Sequence, residues 1–212
     1  MKFATQKLVT MLALSACVGV GLGACAPILV GGAVMSSFVA TDRRTAGTQL
    51  EDEGIELRAG SGVRANLGDR ARVNATSYNR QVLLTGEVAN AQDKQLVEQV
   101  VSRVENVRAV VNELSIQDSP SFTQRSSDAL VTSMVKANMV DAKDLFANSF
   151  KVTTERGTTY LMGRVTQREA NRATEIARST KGVQKVVRML EIISEEELQN
   201  LQSKPASTEA KK

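Results

Sequence analysis

Residues 72–88 read RVNATSYNRQVLLTGEV, and residues 149–165 read SFKVTTERGTTYLMGRV. The two stretches align without a gap, so that Gly86 falls on Gly163 and Val88 falls on Val165. The likeness continues through the residues that follow, with a period of about 76 residues. The sequence therefore predicts two copies of one structural unit.

Each copy predicts the element order α-β-β-α-β. Two short stretches that alternate apolar and polar residues, separated by turn residues at 78–80 or 155–157, are typical of a β-hairpin. Asn90 and Thr166 then have the chemistry of helix N-caps, each with an acid three residues later. Helical segments at 51–67 and 127–140 precede the hairpins, and β-branched strands at 107–116 and 183–193 close the copies.

The predicted fold is an α/β (α+β sandwich) architecture. Each domain combines a small mixed three-stranded sheet with two helices, and its strand-helix-strand portion implies a right-handed crossover. The predicted divisions of the chain are a signal peptide at 1–24, an acylated mobile tether at 25–49, domain 1 at 50–117, a linker at 118–125, domain 2 at 126–193, and a tail at 194–212 that is disordered after a brief helical extension.

The first 24 residues have the construction of a signal peptide: Lys2 and Lys7, then an uncharged apolar stretch that ends in small residues. The residues LGAC at 22–25 are similar to a bacterial lipobox, which makes Cys25 the expected site of lipid attachment. Cys17 fits the same pattern, but cleavage there leaves an apolar core shorter than the usual range of about 7–15 residues. The residue after Cys25 is Ala26 rather than aspartate, which by the lipobox rule implies the outer membrane.

Two other interpretations of this segment remain. One is an ordinary signal peptide whose cysteines are incidental. The other is a transmembrane anchor, because residues 8–40 contain no charge and about 20 apolar residues can span a bilayer. Six glycine or proline residues interrupt that run, which favours a tether over a membrane-spanning helix.

The composition excludes several classes of function. The 212 residues include no histidine, and both cysteines lie in the first 25, which excludes Ser-His and Cys-His nucleophilic systems and most zinc sites downstream. Asp141 and Asp144 could serve as acid and base, but no recognisable nucleophile or phosphate-binding loop accompanies them. We therefore expect no catalytic residue, metal or cofactor. The mature charge of +2 does not indicate a nucleic-acid partner.

The two copies differ in charge and in their first helix. Residues 50–116 carry a net charge of −2, whereas residues 125–193 carry +5. The apolar residues around Leu130 cover an arc of roughly 200°, about twice what docking on one sheet needs. Lys136 and Lys143 flank that helix, which suits an anionic membrane interface. Two alternatives stay open: domain 1 covers the surplus arc, or the charge is simply dispersed over a solvated surface.

The arrangement resembles the BON (bacterial OsmY and nodulation) domain, and the whole chain is similar to outer-membrane lipoproteins with two such domains. The resemblance rests on Cys25 and on the stretches TDRRTAGTQ (41–49), VLLTG (82–86), KVTTE (151–155) and YLMGRVTQREA (160–170). It implies a non-enzymatic protein, bearing palmitate, that faces the periplasm, binds anionic phospholipid and supports envelope integrity. Links to the outer-membrane protein assembly machinery and to septal peptidoglycan remodelling in cell division also belong to the family.

The resemblance assigns lipid contact to the first helix of domain 2. The residues it implies are Leu130, Ser133, Met134, Lys136, Ala137, Met139 and Val140. Relatives can carry a tryptophan at the position of Leu130, and this chain has none. Domain 1 is expected to be unsuited to the same role, because its first helix begins with several acids that an anionic membrane would repel.

Overall fold

The computed structural model describes residues 42–117 and 121–203, which belong to one compact unit spanning Thr41–Lys212. Cys25 and the whole predicted signal peptide lie outside the described residues. Domain 1 contains helix α1 (Ala46–Leu67), strands β1 (Ala71–Tyr78) and β2 (Gln81–Val88), helix α2 (Ala91–Ser102), and strands β3 (Ala109–Asn112) and β4 (Ser115–Ile116). Domain 2 contains helix α3 (Phe122–Asp141), strands β5 (Phe150–Glu155) and β6 (Thr158–Thr166), helix α4 (Gln167–Ser179), strand β7 (Lys185–Ile193) and, after it, helix α5 (Glu195–Ser203).

This order confirms the predicted α-β-β-α-β repeat, except that the single strand predicted at 107–116 is divided into β3 and β4. The other differences within the domains lie at element ends. Both first helices begin five residues earlier than predicted, because Thr45 and Ser121 are their N-caps and accept bonds from Thr48 N and Gln124 N. The predicted caps Asn90 and Thr166 are confirmed, and Thr166 forms a full capping box with Glu169.

Each domain has one mixed sheet with its second strand in the centre. Strands β1 and β2 pair antiparallel, as do β5 and β6, whereas β3 and β4 pair parallel to β2, and β7 pairs parallel to β6. Both hairpin turns have two residues with positive φ, Asn79 and Arg80 in the first and Arg156 and Gly157 in the second. This is the turn geometry that matches the twist of a β-hairpin.

A buried aspartate on the first helix holds each hairpin turn. The carboxylate of Asp52 accepts bonds from the backbone N–H groups of Asn79 and Arg80, both at 2.8 Å. The carboxylate of Asp128 accepts from Arg156 N and Gly157 N, at 2.9 and 3.0 Å. The same contact therefore docks helix on hairpin in both copies.

Each domain has its own apolar core between its helices and its sheet. The domain 1 core contains Ile55, Ala59, Val63, Leu67, Val82, Leu84, Val88, Val97, Val101 and Leu114. The domain 2 core contains Val131, Val135, Met139, Leu145, Phe150, Val152, Leu161, Val165, Ala170, Ala173, Ile176 and Ala177.

A third core joins the two domains through the sheet faces that carry no helix. It consists of Tyr78, Leu83, Tyr160, Met162 and Met189, with Val111 and Val187 partly buried against it. The central strands β2 and β6 are consequently buried on both faces over most of their length. Simple alternation, which the sequence predicted for residues 82–84, is therefore wrong for β2, because the second sheet covers its other face.

Ion pairs surround this apolar contact. Glu87 of domain 1 is 2% exposed and accepts from Arg72 at 2.7 Å and from Arg156 of domain 2 at 3.0 Å. Arg72 also pairs with Glu155 across the boundary, and Lys151 donates to Glu56 at 2.6 Å. The two domains are thus joined by an apolar centre with a charged rim.

Two segments outside the predicted domain bounds are folded. Residues 42–49, assigned to the tether, form a bonded turn and the start of α1. Residues 195–203, assigned to the tail, form helix α5, in which Leu198 is buried and Glu197 pairs with Arg164. Helix α5 is the brief helical extension that the sequence predicts at the start of the tail.

Candidate functional site

Helix α3 has two apolar faces on opposite sides. Its inner face, with Val131, Val135 and Met139, is at most 4% exposed and packs in the domain 2 core. Its outer face carries Leu130 and Val140, which are 65% and 68% exposed. Large apolar side chains on both sides of one helix exceed what its own sheet can cover.

Most residues assigned to lipid contact lie on the outer face. Leu130, Ser133, Met134, Lys136, Ala137 and Val140 are all exposed. Met139 is the exception, because it is 1% exposed and belongs to the core. It lies nine residues from Leu130, which places it about 180° away at 3.6 residues per turn. The assignment of Met139 to the contact surface is therefore wrong.

The structure adds Phe122 to this face. The side chain is 77% exposed, and it lies 18 residues before Val140, which is about five full turns of one helix. It lies outside the helix predicted from the sequence, which begins at Ser127. The available signal was Ser121, an N-cap residue directly before it.

No element of domain 1 covers the outer face within the described part of the chain. Helix α3 packs mainly on β5 and α4 of its own domain, and Leu130 and Met134 keep 65% and 40% of their surface exposed. The alternative in which domain 1 covers the surplus arc is therefore wrong.

Basic side chains border this face. Arg125, Lys136 and Lys143 are exposed, and none forms an ion pair with another described residue. Asp141, near the end of α3, is exposed as well. The border is therefore predominantly positive, and its charges are not neutralised within the described ranges.

The corresponding helix of domain 1 also exposes leucines. Leu50 and Leu57 are 70% and 76% exposed and lie two turns apart on α1. Glu51 and Glu53 flank them, and Glu51 pairs with Arg58 at 2.6 Å. This face is apolar in its centre, as in α3, but its border near the helix start is acidic.

The segment Asp42–Arg44, named here the arginine strap, joins both domains. The Arg43 guanidinium donates to both carboxylate oxygens of Glu169 at 2.6 and 2.7 Å and to the backbone oxygen of Arg164 at 2.9 Å. Arg44 donates to Asp52 at 2.7 Å and lies over the ring of Tyr78, 4.1 Å from its centroid. The strap therefore contacts a buried acid of each domain.

These buried groups have shifted pKa values. Burial raises the pKa of Tyr78 to about 12, with the charge of Asp42 acting in the same direction. Burial works against ionisation of Asp52, but hydrogen bonds from Ser77, the Arg80 backbone and Arg44 hold its pKa below the ordinary value. Burial likewise opposes ionisation of Glu169, and the bonds from Arg43 and Thr166 N keep its pKa lowered.

The described residues contain no cluster of three or more His, Cys, Asp or Glu side chains that could hold a metal ion. Of the two carboxylates considered for acid-base chemistry, Asp144 pairs with Arg172 at 3.1 Å and Asp141 is exposed. Among the helices in the described ranges, none is both long and apolar enough to span a membrane.

Comparison with known proteins defines the family. The BON domain model matches residues 52–118 and 127–194. The chain is 38% identical over 174 residues to the outer membrane lipoprotein DolP of Haemophilus influenzae, covering 81% of this chain and 90% of that protein. It is 30% identical over 154 residues to a 21 kDa hemolysin of Actinobacillus pleuropneumoniae, covering 72% of this chain and 79% of that protein.

The chain therefore belongs to the BON domain family, and it is a dual BON-domain outer-membrane lipoprotein. A solved structure of CdsD, a type III secretion protein of Chlamydia trachomatis, aligns over 75% of this chain and 99% of its own at 15% identity. Its TM-score of 0.29 is too low to support a statement about function.

Proposed function

We propose that this protein binds anionic phospholipid through the outer face of α3, while lipid on Cys25 anchors it to the outer membrane with both domains in the periplasm. One observation carries the proposal: Leu130 and Val140 are about two-thirds exposed on a helix whose opposite side is fully packed. Exposed apolar patches on monomeric domains mark interaction surfaces. Supporting envelope integrity follows as the proposed role.

The basic residues that border the outer face of α3 indicate that its binding partner is an anionic membrane. An amphipathic helix with basic neighbours lies in the interface of an anionic bilayer, with its apolar side chains among the acyl chains. Each nearby Lys or Arg contributes about 1 kcal/mol on such a membrane. Arg125, Lys136 and Lys143 are available for this, because they form no ion pairs among the described residues.

The anchor and the helix would act together. A single acyl chain binds a membrane marginally and reversibly, whereas two or more attachments make binding stable. Lipid attached to Cys25 would hold the chain at the membrane and raise the effective concentration of α3 there. The weak attachment that the six exposed contact residues of α3 provide is then sufficient to keep this helix at the bilayer surface.

The experiment is vesicle flotation of residues 41–212, which lack the anchor. We expect attachment to vesicles containing phosphatidylglycerol, none to pure phosphatidylcholine, and a marked loss between 50 and about 500 mM salt because the border charges are screened. Equal recovery on both lipids, or indifference to salt, would contradict the proposal.

A second candidate is an adaptor that regulates outer-membrane protein assembly or septal peptidoglycan remodelling. The observation in its favour is the exposed pair Leu50 and Leu57, which have an acidic border unsuited to an anionic membrane. Site-specific crosslinking from position 57 in intact cells tests it. Capture of a protein that depends on Leu57 supports the adaptor, and the absence of crosslinks contradicts it.

A further inference from the structure

Both domains have a shallow groove between their second helix and their last strand. In domain 1 the groove lies between α2 and β3, and in domain 2 it lies between α4 and β7. The volumes are about 510 and 550 Å³. The domain 2 groove is lined by Asn171, Thr174, Glu175, Arg178, Ser179 and Arg188. It shares no residue with the outer face of α3.

The groove of domain 1 is lined by one acid, Glu98, and one base, Arg108, so the charges of its lining cancel. Asn112 Nδ2 donates to Glu98 Oε2 at 2.9 Å and to the backbone oxygen of Lys94 at 3.0 Å. The acid on the helix and the amide on the strand therefore satisfy each other. Ser102, further along the same helix, also lines the groove and carries no charge.

Domain 2 has different chemistry at the same positions. Asn112 pairs with Leu84 of the central strand, and Arg188 occupies the matching register opposite Leu161. With the same spacing, Thr174 stands in place of Glu98 and Arg178 in place of Ser102. Gln99 is matched by Glu175 and Arg108 by Gln184, so the net charge of the lining changes from zero in domain 1 to +1 in domain 2, where two arginines face one acid.

The two arginines keep their hydrogen-bond donors available. Arg178 and Arg188 are exposed, and neither forms an ion pair with any other residue in 42–117 or 121–203. The acid that lines the groove, Glu175, pairs instead with Arg172 at 2.9 Å. Thr174 donates to Ala170 O at 2.6 Å within its own helix. The groove therefore carries a net positive charge, and its two arginines have no ion-pair partner among the described residues.

We propose that the α4–β7 groove of domain 2 binds a phosphate group between Arg178 and Arg188. A guanidinium presents paired N–H donors in a planar fork that fits phosphate oxygens, and two such groups from different elements fix the position of the anion. The shallow shape suits a headgroup or a phosphate ester better than a buried ligand. This site lies beyond the membrane contact proposed for α3 and does not depend on it.

The test compares a variant made with domain 1's own residues against a variant of equal charge. Arg178→Ser with Arg188→Asn gives domain 2 the side chains that domain 1 carries at these positions. The control, Arg64→Ser with Arg103→Ser, removes two exposed arginines of domain 1 that form no described ion pair. Both changes are at the surface, where effects on stability are usually within about 0.5 kcal/mol.

The probes are inorganic phosphate and glycerophosphoglycerol, titrated into ¹⁵N-labelled residues 41–212 and followed on the arginine Nε resonances. We expect the signals of Arg178 and Arg188 to shift, affinity to fall at least tenfold in the groove variant, and the control to change less than twofold. Unshifted arginine signals with both probes, or equal losses in the two variants, would overturn the proposal.

A vesicle arm then distinguishes the source of the phosphate. If glycerophosphoglycerol binds more tightly than inorganic phosphate and the groove variant also loses attachment to phosphatidylglycerol vesicles, the site holds a lipid headgroup. If vesicle attachment is unchanged while soluble phosphate binding is lost, the site holds a free phosphate ester and the α3 contact stands separately. Both results support the groove as a phosphate site.

Discussion

Helices α1 and α3 hold equivalent places in the two domains, and they agree on the inside but differ on the outside. Each docks on its hairpin through a buried aspartate, Asp52 or Asp128, which accepts bonds from the turn. Their outer faces both expose apolar residues, but the border is acidic on α1 and basic on α3. The duplicated unit has kept the contacts that fold it while its exposed surfaces have diverged.

The largest effect should come from removing the shared aspartates. Asp52→Ala removes the acceptor of two turn N–H groups, of Ser77 Oγ and of Arg44 Nη1, so we expect a loss of about 4 kcal/mol in the free energy of unfolding. Asp128→Ala removes two backbone bonds and one from Gln124, and should cost about 2–3 kcal/mol. Urea unfolding measures both. Equal losses would show that the Arg44 contact contributes nothing.

The equivalent glycines Gly86 and Gly163 should also differ, with the larger effect again in domain 1. A Cβ on Gly86 would lie 1.9 Å from the Arg72 oxygen with φ at +118°, whereas on Gly163 it would lie 2.5 Å from the Ser149 oxygen with no left-handed backbone. We expect Gly86→Ala to destabilise by about 3 kcal/mol and Gly163→Ala by about 1–2 kcal/mol. Thermal unfolding tests the ranking, and the reverse order would contradict it.

Membrane attachment should separate the two outer faces. Leu130→Glu with Met134→Glu should lower partitioning onto phosphatidylglycerol vesicles about thirtyfold, which is about 2 kcal/mol. Leu50→Glu with Leu57→Glu is the matched change on α1 and should alter it less than twofold. Circular dichroism controls for folding. Full attachment of the α3 variant would remove the basis for its role.

Acidification should weaken both domains modestly. The pKa values of Asp52 and Glu169 are lowered in the folded state, so the stability that they contribute is present above their ordinary pKa of about 4 and is lost as the pH falls through the lowered values. The free energy of unfolding should therefore decrease from pH 7 to pH 4 and again from pH 4 to pH 3. Glu169→Gln should make the unfolding free energy depend less steeply on pH. An unchanged pH dependence would exclude Glu169 as a contributor.

The sequence predicted the repeat, the order of the elements and the caps, because these follow from local patterns. Asn90 and Thr166 needed only their own neighbours to be recognised. It did not predict the contact between the sheets, since a residue such as Leu83 gives no indication of which partner covers it. The folding of residues 42–49 depends on Arg43 meeting Glu169, 126 residues away, and no local pattern reports such a contact.

The candidate surface on α3 was predicted only in part, because helical periodicity is a local pattern and the position of the sheet is not. Helical periodicity identified Leu130 and Met134, but it treated the whole apolar arc as one surface and so included the buried Met139. Only the position of the sheet separates inner from outer residues. Phe122 was not predicted because the helix start depends on the Ser121 cap, which lies within the predicted linker.

The most direct test of the membrane-facing role of α3 uses the absence of tryptophan from the natural chain. A single tryptophan at position 130 or at position 57 is then the unique indole in the protein. The Leu130→Trp fluorescence should shift to shorter wavelength and resist aqueous quenchers on phosphatidylglycerol vesicles, while Leu57→Trp should stay in water. A shift at 57 and none at 130 would contradict the assignment of the membrane contact to domain 2.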